Sequence, residues 1–179
     1  MKLLARLLIG FGLLCYAIGM YYIWLQNDPN RLAFTDYKYE KSVSSDKKEL
    51  PTRITINALK INLPLIPAQQ KNKSWDVTND GASYLTSSPI PGEKGNSIIY
   101  AHNWASLFGK LPEAKKGDEI EVTFADKSKK QFVIQSIATV SPDDSTLLKQ
   151  TDDKRLTLYT CIGFLDSKRF VVIAKPKDS

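Results

Sequence analysis

A thiol, an imidazole and a guanidinium stand where strand-like runs begin or end. Cys161 closes Leu156-Thr157-Leu158-Tyr159-Thr160. In this run Leu156, Leu158 and Thr160 alternate with Thr157, Tyr159 and Cys161, the two-residue period of a strand. A break follows over Ile162-Gly163-Phe164-Leu165-Asp166-Ser167-Lys168, and Arg169 opens a second β-rich run through Ala174. Paired as a hairpin, the two runs put Cys161 and Arg169 at the same end of neighbouring strands. A cation there favours the ionised sulfur, which is the nucleophilic form. His102, the chain's single histidine, ends the run Asn96-Ser97-Ile98-Ile99-Tyr100-Ala101. A thiol nucleophile needs a proton partner, and His102 is the sole imidazole available. Each residue also has a plainer reading. Most unpaired cysteines are buried and inert, and most lone histidines are surface or satisfied core residues. The joint placement at strand ends beside loops, where sites are commonly built, favours chemistry.

The elements that must position these residues are short strands. From Pro51 the texture is β-like: Thr52–Ile56, Ile61–Ile66, Glu119–Phe124 and Lys130–Val140 join the runs already named. Pro64 suits an edge or a bulge. Asn79-Asp80-Gly81, Ser87–Gly92 and Ala125–Lys129 are turn signals. Asn103–Leu111 has room for one short helix, and Ser141–Leu148 for a loop or another. Seven or eight short strands with regular turns and little helix predict an all-β fold, a closed or nearly closed barrel or a sandwich.

Ahead of this lies a different kind of chain. Leu7 to Leu25 is uncharged throughout, long enough as a helix to cross a hydrocarbon core of roughly 30 Å. Lys2 and Arg6 precede it, so the positive-inside rule predicts a cytoplasmic N-terminus and an extracytoplasmic remainder. The run is long and ends without a small-x-small cleavage signal, which favours a retained anchor over a cleaved signal peptide. The division expected is therefore a signal-anchor helix over residues 1–25, a polar flexible tether over 26–50 and a catalytic barrel over 51–179. The other cysteine, Cys15, lies in the anchor, so the exported part has no internal disulfide to form. One Cys and one His cannot supply a zinc cluster. The formal net charge is +6, but from Pro51 onward it is only +4, with basic residues scattered among acidic ones. This argues against nucleic acid and fits a mild attraction to anionic lipid or wall polymer.

These motifs resemble the sortases, membrane-anchored cysteine transpeptidases. Thr157-Leu158-Tyr159-Thr160-Cys161 is similar to their TLxTC signature, and Arg169 to the arginine that follows it. Gly92-Glu93-Lys94-Gly95-Asn96, leading to His102, resembles the family's G-x-x-G-N stretch. Phe108, Leu111 and Gly117-Asp118 with Ile120 and Val122 resemble its F-x-x-L and G-D-x-I-x-V patterns. The resemblance spans Pro51 to Lys175. It implies an eight-stranded barrel with a groove at strand ends, and catalytic roles for Cys161, His102 and Arg169. It also implies cleavage of an LPxTG-like sorting signal through a thioacyl-enzyme. The partners implied are secreted proteins with a C-terminal signal and an amine acceptor, commonly a peptidoglycan precursor. Thr160 and Trp104 are weaker candidates for contacting substrate, each with a packing alternative. Ala101 stands where many members have Gly, and Gly163 where many have Pro, so the subclass is left open. A pilin-polymerising type is the less expected one, since no second apolar span follows Ala174. Asp28-Pro29 is similar to the start of that type's lid, but Asn30 lacks its aromatic residue. No cofactor is expected. Some members bind calcium, for which Asp143, Asp144, Asp152 and Asp153 are the candidates, although Asp pairs in loops are usually solvated turn residues. Two rival readings are a thiol peptidase with water as acceptor and a non-catalytic, membrane-tethered, wall-binding module.

Overall fold

From Pro51 onward, alternation of apolar and polar residues builds strands whose inner faces close on one another. A computed structural model describes residues 2–26, 32–34, 50–71 and 74–177. It contains helix α1 (Lys2–Gln26) and strands β1 (Pro51–Ile56), β2 (Ile61–Ala68), β3 (Gln70–Lys71), β4 (Ser74–Trp75) and β5 (Ala82–Leu85). These are followed by β6 (Gly95–Tyr100), β7 (Glu119–Phe124), β8 (Lys129–Val140), β9 (Lys154–Ile162) and β10 (Lys168–Pro176). Eight strands close a barrel in the order β1-β2-β5-β6-β9-β10-β8-β7, with β7 returning to β1. The remaining pair, β3 and β4, is a small hairpin beside it. The expected all-β, eight-stranded barrel is the observed fold.

Two of the barrel pairings are parallel, β2 with β5 and β6 with β9. The other neighbours run antiparallel. Pro64 lies where β2 pairs with β1 but has not yet reached its ladder with β5, which begins at Leu65. It is therefore locally an edge residue, as its missing N–H requires. The short helices anticipated within the barrel domain are single 3-10 turns. The stretch Asn103–Leu111 is a series of turns rather than a helix: the amides of Leu107 and Gly109 both donate to the Trp104 carbonyl, and that of Phe108 to the His102 carbonyl. Gly109 permits this close return, because a Cβ there would meet the Trp104 carbonyl oxygen at 2.6 Å.

The core has two parts. Inside the barrel lie Ile54, Ile56, Ile99, Val122, Phe132, Leu156, Leu158 and Val172. On the outer face of β6, β9 and β10 lie Ile98, Tyr100, Tyr159, Cys161 and Val171. They pack with Trp75, Leu85 and Leu148 and, from the segment expected as tether, with Leu32, Ala33 and Phe34. Strand β9 is thus buried on both faces, as strands with a parallel neighbour usually are. Burial of Leu32 and Phe34 contributes roughly 2 kcal/mol each before the entropy of ordering the segment is subtracted. Asp28, Pro29 and Asn30, compared above with a lid, lie outside the described residues.

Asn96 locks the register of the parallel pair. It is fully buried, and its Nδ2 donates to the carbonyls of Leu147 (2.9 Å) and Lys149 (3.2 Å). Its Oδ1 accepts from the Thr157 hydroxyl at 2.6 Å. One side chain thereby ties β6 to β9 and to the loop that leads into β9. Replacing Asn96 by Ala leaves buried partners unsatisfied, and destabilisation of about 3 kcal/mol is expected. Thermal unfolding followed by circular dichroism should show a midpoint lowered by roughly 10 °C.

Candidate active site

The parallel alignment of β6 and β9 brings their C-terminal ends to one rim, and antiparallel β10 starts at that rim. The ladder joins Tyr100 to Tyr159 at its last step. Beyond it the Ala101 amide donates to the Tyr159 carbonyl at 3.4 Å, which carries the alignment on toward His102 and Cys161. On the other side of β9, Arg169 is the direct cross-strand partner of Cys161. The hairpin expected from sequence is therefore present, and the three candidate residues stand on three adjacent strands at one end of the barrel. All three are buried: Cys161 is 2% exposed, Arg169 3% and His102 8%.

The connection between Cys161 and Arg169 is a tight turn. Gly163 has φ +83°, a conformation that suits glycine. A Cβ there would meet the Ser167 hydroxyl at 2.8 Å. Leu165 and Asp166 also adopt positive φ, 52° and 57°. This turn directs the Asp166 carbonyl at Arg169, whose Nη1 donates to it at 2.8 Å and to the Lys168 carbonyl at 3.2 Å. Nη2 donates to the Ala33 carbonyl at 3.1 Å, and the guanidinium carbon lies 5.8 Å from the centre of the Phe34 ring. Carbonyl dipoles and an aromatic face together hold the buried cation.

Thr160 has the parity of Leu156 and Leu158 and is fully buried on the barrel side. Its hydroxyl donates to the Ala101 carbonyl at 2.8 Å. The side chain thus fastens the His102 strand to the Cys161 strand. Trp104 stacks on His102, with ring centroids 4.5 Å apart and planes 9° from parallel. Both line a cavity of about 440 Å³, together with Asn103, Gly163, Phe164, Leu165, Asp166 and Tyr22 of α1. Phe164 is 80% exposed. Asn103 reaches Asp166 Oδ1 across this space in a long contact of 3.5 Å.

Beneath Cys161 on the outer face lies an aromatic shelf. Tyr100 and Tyr159 stack at 5.3 Å, and Trp75 meets them edge-on at 5.2 and 6.1 Å. Burial, reinforced by the charge of Asp76, pushes the Tyr100 phenol far above its usual range. It therefore stays a neutral donor, to the Asp76 carbonyl. The shelf, and the contact of Leu32–Phe34 with it, was not inferred from sequence. The available signals were the outward parity of Tyr159 and an apolar triplet in an otherwise polar stretch.

Among the described residues, no group of three or more His, Cys, Asp or Glu gathers as a metal site. Three of the four aspartates considered for calcium make side-chain contacts within the chain. Asp144 accepts from the Thr146 amide, Asp152 pairs with Lys94, and Asp153 with Lys175.

A closed barrel with thiol, imidazole and guanidinium on one rim defines a class of thiol enzyme. The chain belongs to the sortase family, since the Sortase domain model matches residues 54–177. Sortase A from Corynebacterium diphtheriae in a lid-mutant form superposes with a TM-score of 0.63 at 26% identity, covering 73% of this chain and 71% of that one. The same organism's sortase A in a second structure gives 0.65 at 19% identity, covering 87% and 83%. Sortase C from Clostridium perfringens gives 0.62 at 23% identity, covering 88% of each chain. Comparison with curated protein sequences finds no match.

The indole face confines the His102 ring. Trp104→Ala should free that ring to rotate, so that any reaction in which the imidazole takes part slows about tenfold. With one histidine in the chain, its imidazole proton resonances can be followed directly. They should move downfield as the ring current of the indole is lost, whereas unchanged shifts would mean that the stack does not persist in solution.

Proposed function

We propose that this protein is a sortase that cleaves an LPxTG-like sorting signal and transfers the acyl part to a cell-wall amine, commonly that of a peptidoglycan precursor. The observation that carries this reading is the convergence of Cys161, His102 and Arg169 on one rim of a sortase barrel. The Cys161 thiolate attacks the threonine carbonyl of the signal. Arg169 stabilises the developing oxyanion with donors already in place. As the C–N bond breaks, protonated His102 gives its proton to the leaving glycine amine. The product is a thioester on Cys161. The acceptor amine then attacks that carbonyl, His102 takes its proton, and the C–S bond breaks to restore the thiolate.

Helix α1 is long and apolar enough over Lys2–Trp24 to cross a membrane. Lys2 and Arg6 support an orientation with this end in the cytoplasm and the barrel outside, where secreted substrates and wall precursors meet. The cavity beside His102 offers room for the amine that leaves and the one that enters. Phe164 and Leu165, exposed on its edge, are the residues best placed to sort acceptors.

The test uses full-length protein in detergent micelles with an LPxTG-type peptide, with and without a short oligoglycine amine. Mass spectrometry should find an acyl adduct on Cys161, and the amine should divert product from acid to amide. Cleavage indifferent to every amine offered would point to water as the acceptor and sink transpeptidation. Cys161→Ala should abolish turnover. Arg169→Lys keeps the charge but loses the planar fork, and a fall of about 100-fold in kcat is expected.

A further inference from the structure

We infer that the barrel rim opposite the catalytic one holds a site for the phosphodiester groups of an anionic envelope polymer, a reading that takes the placement outside the membrane from the proposed function. A cavity of about 410 Å³ opens there, lined by Lys129, Lys130 and Lys154 together with Gly92 and Gln131. Among the described residues, no acid lines it. The three lysines lie where β8 and β9 begin. The other end of β8, at Val140, pairs with Arg169. Cys161 follows Lys154 on β9 by seven residues, about 23 Å along a strand. The cavity and the thiol are thus at opposite ends of the same strands.

This rim has more cations than it pairs. Glu119 is held by Lys177 at 2.6 Å, Glu121 by Lys129 at 2.9 Å, Asp152 by Lys94 at 3.1 Å and Asp153 by Lys175 at 3.0 Å. Among the described residues, Lys130 and Lys154 make no ion pair. Asp126, close enough to feel the Lys130 charge, accepts from the Ser128 amide at 2.9 Å instead of pairing with it. Lys130 is nevertheless set in place. Its Nζ donates to the Pro91 carbonyl at 3.2 Å and lies 4.8 Å from the centre of the Phe124 ring. Its stem crosses Gly92 so closely that a Cβ there would meet Cδ at 2.6 Å. An ammonium has three N–H groups, so this one keeps donors for a ligand. Two like charges on one hollow repel each other, and an anion between them removes the repulsion. Lysine offers a point charge rather than the planar fork that matches a carboxylate, which suits a tetrahedral phosphate. A phosphodiester brings one negative charge and two free oxygens, one for each ammonium. Helix α1 meets the barrel at the catalytic rim, where Tyr22 lines the cavity beside His102. The lysine cavity is at the other end, which favours a polymer of the envelope over the headgroups of the lipid around α1. Held by this rim, the enzyme keeps its catalytic rim open to substrate.

The experiment uses full-length protein in detergent micelles and fluorescently labelled poly(glycerol phosphate). Three proteins are compared: wild type, Lys130→Gln with Lys154→Gln, and a control with Lys110→Gln and Lys116→Gln. The control loses the same charge from exposed lysines that do not line the cavity. Unfolding midpoints confirm that folded proteins are compared. Fluorescence anisotropy should show the cavity pair weakening binding about tenfold and the control pair about twofold at most, because two phosphate contacts are lost only in the first. Equal losses would mean a diffuse positive surface and overturn the site. Polyglutamate of the same length should bind about tenfold more weakly than the phosphate polymer, and equal affinity would overturn phosphate as the ligand. A second readout needs no variant. Acetylation by an N-hydroxysuccinimide ester, mapped by mass spectrometry, should slow about fivefold at Lys130 and Lys154 when polymer is added, with Lys110 unchanged. Absence of that protection would overturn the site. Wild type in phosphatidylglycerol nanodiscs without polymer should leave both lysines reactive, and protection there would assign the site to lipid headgroups and overturn the polymer. Cleavage of an LPxTG-type peptide is followed in the same samples, and the cavity pair should stay within about twofold of wild type, since the substitutions lie at the far rim. No cleavage by any of the three, with polymer still held by the lysines, would overturn the sortase reading and leave the site standing.

Discussion

The parallel pairing of β6 with β9 is the constraint on which the site depends. Two strands that run the same way end at the same rim, so residues following their last ladder step are neighbours without any long loop to bring them together. Antiparallel β10 then starts at that rim and supplies Arg169 opposite Cys161. Parallel neighbours cannot be joined by a hairpin. The chain between β6 and β9 is instead spent on β7 and β8, which close the barrel against β1. Asn96, Thr157 and Thr160 hold the pair in register with side-chain hydrogen bonds rather than relying on the ladder alone. A slip of one residue would turn Cys161 from the outer cluster into the barrel.

The guanidinium of Arg169 imposes the second constraint. A buried cation is costly to desolvate unless its donors are met. Here the Asp166 and Lys168 carbonyls meet it from the tight turn before β10, and the Ala33 carbonyl from outside the barrel. The left-handed residues Leu165 and Asp166 direct the turn's carbonyl inward and leave Phe164 out in solvent. One turn therefore orients the cation on its inner side and presents an apolar edge to the cavity on its outer side.

Much of this was legible in the sequence because it follows from period and order. The alternation across Leu156–Cys161 and the break before Arg169 predicted two strands with the thiol and guanidinium at one end. The single histidine after another strand predicted the third member. Other features escaped for physical reasons. Trp104, Leu107, Phe108 and Leu111 have the spacing of a helix face, yet the backbone folds back on the Trp104 carbonyl because Gly109 allows it. The stack of Trp104 on His102 depends on that return and has no signature in spacing. Thr160 has the parity of a core strand residue, and its hydroxyl bond to the Ala101 carbonyl is a contact that parity does not announce. Leu32-Ala33-Phe34 is too short to show a period, and its contacts are with residues more than a hundred positions away, so nothing local announces that it docks.

The docked triplet also sets a distance. Six peptide steps separate Gln26, the last residue of α1, from Leu32, a reach of at most about 20 Å. From Gln26 to Leu50, where the barrel domain begins, the chain could span about 80 Å when extended. With Leu32–Phe34 packed against the outer face of β9, the shorter of these two reaches separates the end of α1 from the barrel. Three buried residues thus bear on how far the barrel can stand from the end of α1.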